Sequence, residues 1–156
     1  MKHKIGFIIT LFALFFSFLS CEKDDVCLSP MTPKLVFRLY DNAQIDDLKE
    51  AEHLYVIALP DNDTIYKDVQ ADSIAISLDV NQDATKYIFV KDNNNDTVLC
   101  TYQRKNIFVS KACGYKANFY QLNVEKVVDA DNWILNMNVE NQEVTNDTLA
   151  HVKIYH

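Results

Sequence analysis

Residues 86–103 read KYIFVKDNNNDTVLCTYQ. An apolar run over 86–91 gives way to Asn93, Asn94, Asn95 and Asp96, and then to 97–103, where Val98, Cys100 and Tyr102 fall on one alternate set. Period two puts such a set on one face of a sheet, and short Asn and Asp side chains tolerate the left-handed backbone of a tight turn. The stretch therefore predicts strand, turn, strand. A connection this short joins antiparallel neighbours.

The same pattern extends in both directions. Leu35, Phe37 and Leu39 alternate with Lys34, Val36, Arg38 and Tyr40; Ile74, Ile76 and Leu78 alternate with Ser73, Ala75, Ser77 and Asp79. Tyr120, Leu122 and Val124 form another set, as do Leu135, Met137 and Val139, and Val152 with Ile154. Segments 54–59 and 87–90 are apolar on both faces, as central strands are. Nine strands are predicted, at 34–40, 54–59, 73–79, 86–91, 97–103, 107–110, 118–128, 134–140 and 150–155. Connections too short for repeated crossover helices make the expected architecture an all-β antiparallel sandwich, immunoglobulin-like or a similar Greek key. The one helix candidate is 45–53, where Leu48 and Ala51 could share a face. Gly114 is the sole glycine after Gly6, which marks it as a positive-φ position and leaves the other turns to Asn and Asp.

Ahead of this body the chain opens Met1, Lys2, His3, Lys4 and continues in an apolar run over 5–19. Fifteen helical residues span roughly 22 Å against a hydrocarbon core of about 30 Å, so the run predicts a removable secretory signal rather than a permanent span. Phe18, Leu19, Ser20, Cys21 follows, and resembles the lipobox of bacterial lipoproteins, with Phe18 in place of the usual leucine or valine. On this reading residues 1–20 are a signal peptide, Cys21 is the lipidated first residue, 21–33 form a lipidated N-terminus and tether, and 34–156 form a single β-sandwich domain. The acidic run Glu22, Lys23, Asp24, Asp25 resembles the signal that sends lipoproteins of the Bacteroidota to the outer face of the outer membrane; a solvated tether would read the same way.

With Lys2 and Lys4 removed, 13 basic residues face 22 acidic ones, a formal charge of −9. Such a surface repels phosphate backbones, and nucleic acid is not an expected partner. One mature glycine excludes Gly-rich phosphate loops and the dinucleotide fingerprint; no cofactor is expected. His53, His151 and His156 have no acidic or cysteine partner at a metal-like spacing, so no metal site is expected. Asp46 with Asp47, Asp61 with Asp63, and Asp129 with Asp131 are adjacent carboxylates in polar surroundings, without the apolar burial that raises a catalytic carboxyl pKa. No catalytic residues are assigned. Trp133, Tyr115 and Tyr120 are candidates for an aromatic ligand platform, against the commoner role of such rings in a core.

Cys-Glu-Lys-Asp-Asp-Val-Cys at 21–27, Thr32-Pro33-Lys34-Leu35, the segment TYQRKNIFVSKACGYKANF at 101–119 and His151-Val152-Lys153-Ile154-Tyr155 together resemble a family of small uncharacterised lipoproteins of the Bacteroidota, catalogued as a domain of unknown function. The resemblance implies localisation and fold, and no activity. It also implies a disulfide between Cys27 and Cys113. From the residues themselves, an exported chain should pair its thiols, and an odd number remains once Cys21 carries lipid. Cys100 passes as a small buried hydrophobe, while Cys100 with Cys113 stays open as a competing pair across a hairpin turning near Lys105. Asp63-Thr64-Ile65, Asp72-Ser73-Ile74, Asp96-Thr97-Val98 and Asp147-Thr148-Leu149 resemble the O-glycosylation pattern of exported Bacteroidota proteins, making Thr64, Ser73, Thr97 and Thr148 candidate acceptors where polar turns lead into strands. The expected function is that of a noncatalytic outer-membrane lipoprotein, held to the membrane by its lipid and facing the periplasm or the cell surface, that binds or supports another envelope component such as an outer-membrane β-barrel protein. The alternative is a surface carbohydrate-binding or glycan-processing protein.

Overall fold

The computed structural model describes residues 27, 31–127 and 132–156. The expectations on the signal peptide, on Cys21 and on Asp129 with Asp131 lie outside the described residues. Among the described residues nine strands are present: β1 Leu35–Tyr40, β2 Ala51–Leu59, β3 Asp63–Ala71, β4 Ser73–Ile76, β5 Ala84–Lys91, β6 Asn94–Ser110, β7 Gly114–Val127, β8 Asn136–Val139 and β9 Val152–Tyr155. They form two sheets, one ordered β4-β1-β9-β8 and the other β3-β2-β5-β6-β7. All pairings are antiparallel except β1 with β9, which run parallel with Phe37 opposite Val152. The molecule is a β-sandwich.

Its core is built from the inward set of each sheet. Leu35, Phe37, Leu39, Ile74, Ile76, Val152 and Ile154 from the smaller sheet meet Leu54, Val56, Tyr87, Phe89, Val98, Cys100, Phe119 and Leu122 from the larger. Phe37 and Phe89 touch edge to face across the interface, with ring centroids 5.4 Å apart. The chain changes sheets at the β3–β4 corner, where Asp72 alone separates two strands. Tyr66 holds that corner from both sides, its hydroxyl donating to the Ala75 carbonyl and accepting from the Ala75 N–H.

Several strand expectations need correction. No helix forms over 45–53. Asp41 Oδ1 accepts from the Ala43 and Gln44 N–H groups, a turn follows at 44–47, and Ala51 begins β2 fully buried; two apolar residues on a charged face gave a helix too little to bury against the gain from the sheet. Strand β3 went unread because it is an edge strand with little to hide: Ile65 is exposed, and irregular register against β2 disrupts its alternation. Segments 97–103 and 107–110 are one 17-residue strand, continuous through Arg104, Lys105 and Asn106. The turn before it is Asp92-Asn93, both at positive φ, and Asn94, Asn95 and Asp96 already belong to β6. In β7 a bulge at Gln121, φ 53°, shifts the inward set from Ala117 and Phe119 to Leu122 and Val124, so Tyr120 does not share their face. Leu135, expected inside, is exposed.

Candidate functional site

The β6–β7 hairpin is much longer than the sandwich it belongs to. At about 3.3 Å per residue β6 extends roughly 56 Å, against roughly 20 Å for β1. Its last buried side chain is Tyr102, and the first on the returning strand is Ala117, so 103–116 overhang the core. The overhang is paired in register, with Arg104 opposite Phe119, Asn106 opposite Ala117 and Phe108 opposite Tyr115. It turns at Lys111, Ala112 and Cys113, where the Cys113 N–H donates to Ser110 Oγ at 3.0 Å. Gly114 holds φ 68° with no atom within 4 Å of a built Cβ, so backbone conformation alone accounts for glycine here.

This tip is where the N-terminal segment is fastened. Cys113 is bonded to Cys27 across a separation of 86 residues, with Cα atoms 4.9 Å apart. A second tie follows where the Ala117 N–H donates to Thr32 Oγ1 at 3.1 Å. Cys100 is free and fully buried, and burial pushes its thiol up to about 12; the competing Cys100–Cys113 pair is not formed, because the hairpin turns eleven residues beyond Cys100 rather than near Lys105. Phe108 and Tyr115 meet edge to face at the tip, centroids 5.3 Å apart, yet are 56 % and 70 % exposed. Met31, next to the tethered Thr32, is 86 % exposed.

Elsewhere the buried polar groups serve the backbone. Asp96 is fully buried; its Oδ2 accepts from the Trp133 N–H at 2.9 Å and the Ile134 N–H at 2.8 Å, while its Oδ1 lies 3.8 Å from Lys126 Nζ. Lys126 donates to the Ile134 carbonyl at 2.6 Å. The pair thus fixes the chain leading to β8 onto the larger sheet. His151 Nδ1 accepts from the Val36 N–H at 3.1 Å, and His156 packs edge to face on Trp133; burial lowers the pKa of both rings. Exposed His53 meets Asp68 at 2.7 Å, and that hydrogen bond raises its pKa.

The candidate platform is not assembled. Trp133 is only 8 % exposed and its Nε1–H donates to the Phe89 carbonyl, which makes it a core residue. Tyr115 lies on the tip, and Tyr120 stands beside the β7 bulge opposite Gln103. Of the candidate acceptors, Thr64 is exposed near the start of β3 and Ser73 is half-buried at the start of β4. Thr97 is not at a turn; it is the fourth residue of β6, between Ile88 and Val127. Thr148 is exposed in a loop ahead of β9, its hydroxyl donating to Asn146 Oδ1, and no strand starts at Leu149. Asp46, Asp47, Asp61 and Asp63 are exposed, and no group of three metal-ligating side chains occurs among the described residues. An open groove of about 520 Å³ over the larger sheet is lined by Leu59, Pro60, Asp79, Lys86 and Leu99 among others. The hydroxyls behind it, Thr85 and Tyr102, bond each other at 2.6 Å and hold the Asp79 backbone.

Two features had sequence signals that went unused. Counting back by two from Val98 lands on Asp96, which puts it on the inward face. No Asp or Glu occurs between Asp96 and Glu125, a span holding Arg104, Lys105, Lys111 and Lys116.

Residues 53–156 match a family of unknown function, DUF6452, and the chain belongs to that family. No curated protein and no solved structure matches it.

Proposed function

We propose that this member of a family without an assigned activity is a lipid-anchored envelope protein. Residues 1–20 act as a cleaved signal, Cys21 takes the acyl chains, and the sandwich serves as a noncatalytic binding or accessory module for another envelope component, such as an outer-membrane β-barrel protein. The observation that carries the reading is the Cys27–Cys113 bridge. A disulfide suits an exported chain, and this one ties a residue only six positions from Cys21 to a rigid hairpin, which fixes the distance and orientation of the domain relative to its anchor. The buried Asp96, His151 and His156 support a structural use of the interior, since Asp96 and His151 each accept from backbone N–H groups and His156 packs on Trp133. A glycan platform keyed on Trp133 has no exposed indole to build on.

The binding role is tested by crosslinking and pull-down of the tagged protein from solubilised envelopes. A stoichiometric membrane partner is the expected result; recovery of the protein alone would contradict the accessory role.

A further inference from the structure

We propose that the tip of the β6–β7 hairpin is a membrane-contact surface that seats on the anionic lipid–water interface beside the anchor. The inference rests on the lipid-anchor reading and deepens it by naming which face of the sandwich the membrane meets.

Reach comes first. Cys27 lies six positions after Cys21, and an extended chain covers at most about 3.6 Å per step, so the bridge cannot lie more than roughly 22 Å along the chain from a lipidated Cys21. Cys27 is fastened to Cys113, in the turn of the hairpin. The tip is therefore the part of the sandwich that the anchor holds nearest the bilayer.

The chemistry of the tip fits that surface and differs from the rest of the molecule. Phe108 and Tyr115 meet edge to face and each is more than half exposed, and Met31 is 86 % exposed next to the residue tied to Ala117. A ring with a polar handle, as Tyr115 has, settles at headgroup depth, and the apolar Phe108 and Met31 suit the acyl boundary beside it. Between Asp96 and Glu125 the hairpin carries Arg104, Lys105, Lys111 and Lys116 and no acidic residue, while Glu22, Asp24 and Asp25 lie on the tether just before Cys27, in a mature chain of net charge −9. Arg104 is engaged with Asp83 at 2.7 Å, while among the described residues Lys105, Lys111 and Lys116 make no ion pair. An anionic surface repels the acidic body and attracts the hairpin lysines, each by about fivefold, while Glu22, Asp24 and Asp25 on the tether oppose that pull, so the reach of the anchor and the exposed rings carry the seating.

The test uses the full-length protein, purified after processing in cells and reconstituted into vesicles of phosphatidylcholine and phosphatidylglycerol with brominated acyl chains. Phe108→Trp and Tyr115→Trp place reporters at the tip; Val127→Trp places one at the opposite end of β7, where Val127 is also exposed. Trp133 gives a constant buried background. Bromine quenching and a blue shift at 108 and 115, but not at 127, are expected. They should weaken when Lys105, Lys111 and Lys116 are all changed to Glu. The intact mass of the same samples reports lipid on Cys21. Lipidated protein whose tip reporters are quenched no more than the one at 127 would overturn the membrane-contact surface while leaving the anchor in place. A mass without lipid would overturn the anchor reading, and the inference with it.

Discussion

Asp96 ties the start of β6 to the segment that leads into β8. One carboxylate oxygen takes two backbone N–H groups from a segment 37 and 38 residues away, and neither donor has water to turn to. Asp96→Ala would strand both donors and leave Lys126 beside an empty site, an expected loss of about 3 kcal/mol by chemical denaturation, with Asp96→Asn losing less because one oxygen still accepts. A midpoint unchanged by the alanine variant would show that the carboxylate does not hold this segment. The histidines set the pH response. Burial holds His151 and His156 below the ordinary 6.5, and the Val36 N–H needs an unprotonated Nδ1. The unfolded chain therefore takes up protons before the fold does, and stability present above about pH 6.5 is lost as pH falls from there towards the folded values. His53 works in the opposite sense, but it is exposed and weakly felt. A thermal midpoint falling between about pH 7 and about pH 5, with a shallower fall in His151→Gln, is expected; an identical slope in the variant would contradict it. In the sequence Asp96 passes for the end of a polar turn, because its partners lie far away and only the alternation from Val98 betrays it.

Among elements, β6 and β7 depart furthest from what local pattern conveys. Alternation located β1 and β9 closely, because each buries one face against the opposite sheet, and an unbroken apolar run located β5. Alternation failed at Arg104-Lys105-Asn106, where the hairpin has left the sandwich and pairing continues with nothing to bury, and at β3, whose edge position removes the same constraint. The bulge at Gln121 is equally silent, yet it decides which residues of β7 reach the core. Deleting Gln121 removes the surplus residue, so Leu122 follows Tyr120 and falls, with Val124, on the inward set of Ala117 and Phe119; a folded protein with a native near-UV circular dichroism spectrum is expected. An unfolded or molten deletion variant would show that the bulge does more than absorb one extra residue. The disulfide acts on the same hairpin. Closing a loop of this length is worth up to about 4.5 kcal/mol in the chain-entropy limit, though measured values are often lower. Cys27→Ser should lower the denaturation midpoint while the core signal of Trp133 is retained; an equal midpoint would mean that the bridge constrains only the N-terminal segment.

At the scale of the whole molecule, sandwich architecture was legible because apolar alternation and Asn- and Asp-rich turns recur along nearly the entire body. Trp133 takes the core role that is the commoner one for such rings; the sequence leaves a platform open beside it, since the composition of a polar approach to an aromatic residue is the same whether the ring faces solvent or plugs a sheet. Its burial against Phe89 depends on Asp96, a contact without local signature. What unites the molecule is its hairpin tip, where the exposed Phe108 and Tyr115 and the lysines of β6 and β7 sit beside the bridge to the N-terminal segment. That arrangement has a purpose if Cys21 carries lipid, so the decisive measurement is the intact mass of the protein isolated from cell envelopes, taken beside Cys21→Ser. A polypeptide beginning at Cys21 and carrying diacylglycerol-derived mass, with the variant left as unprocessed precursor or released from the membrane fraction, is the expected result. An unmodified Cys21, or a variant that stays in the membrane fraction through a high-salt wash, would contradict the anchor.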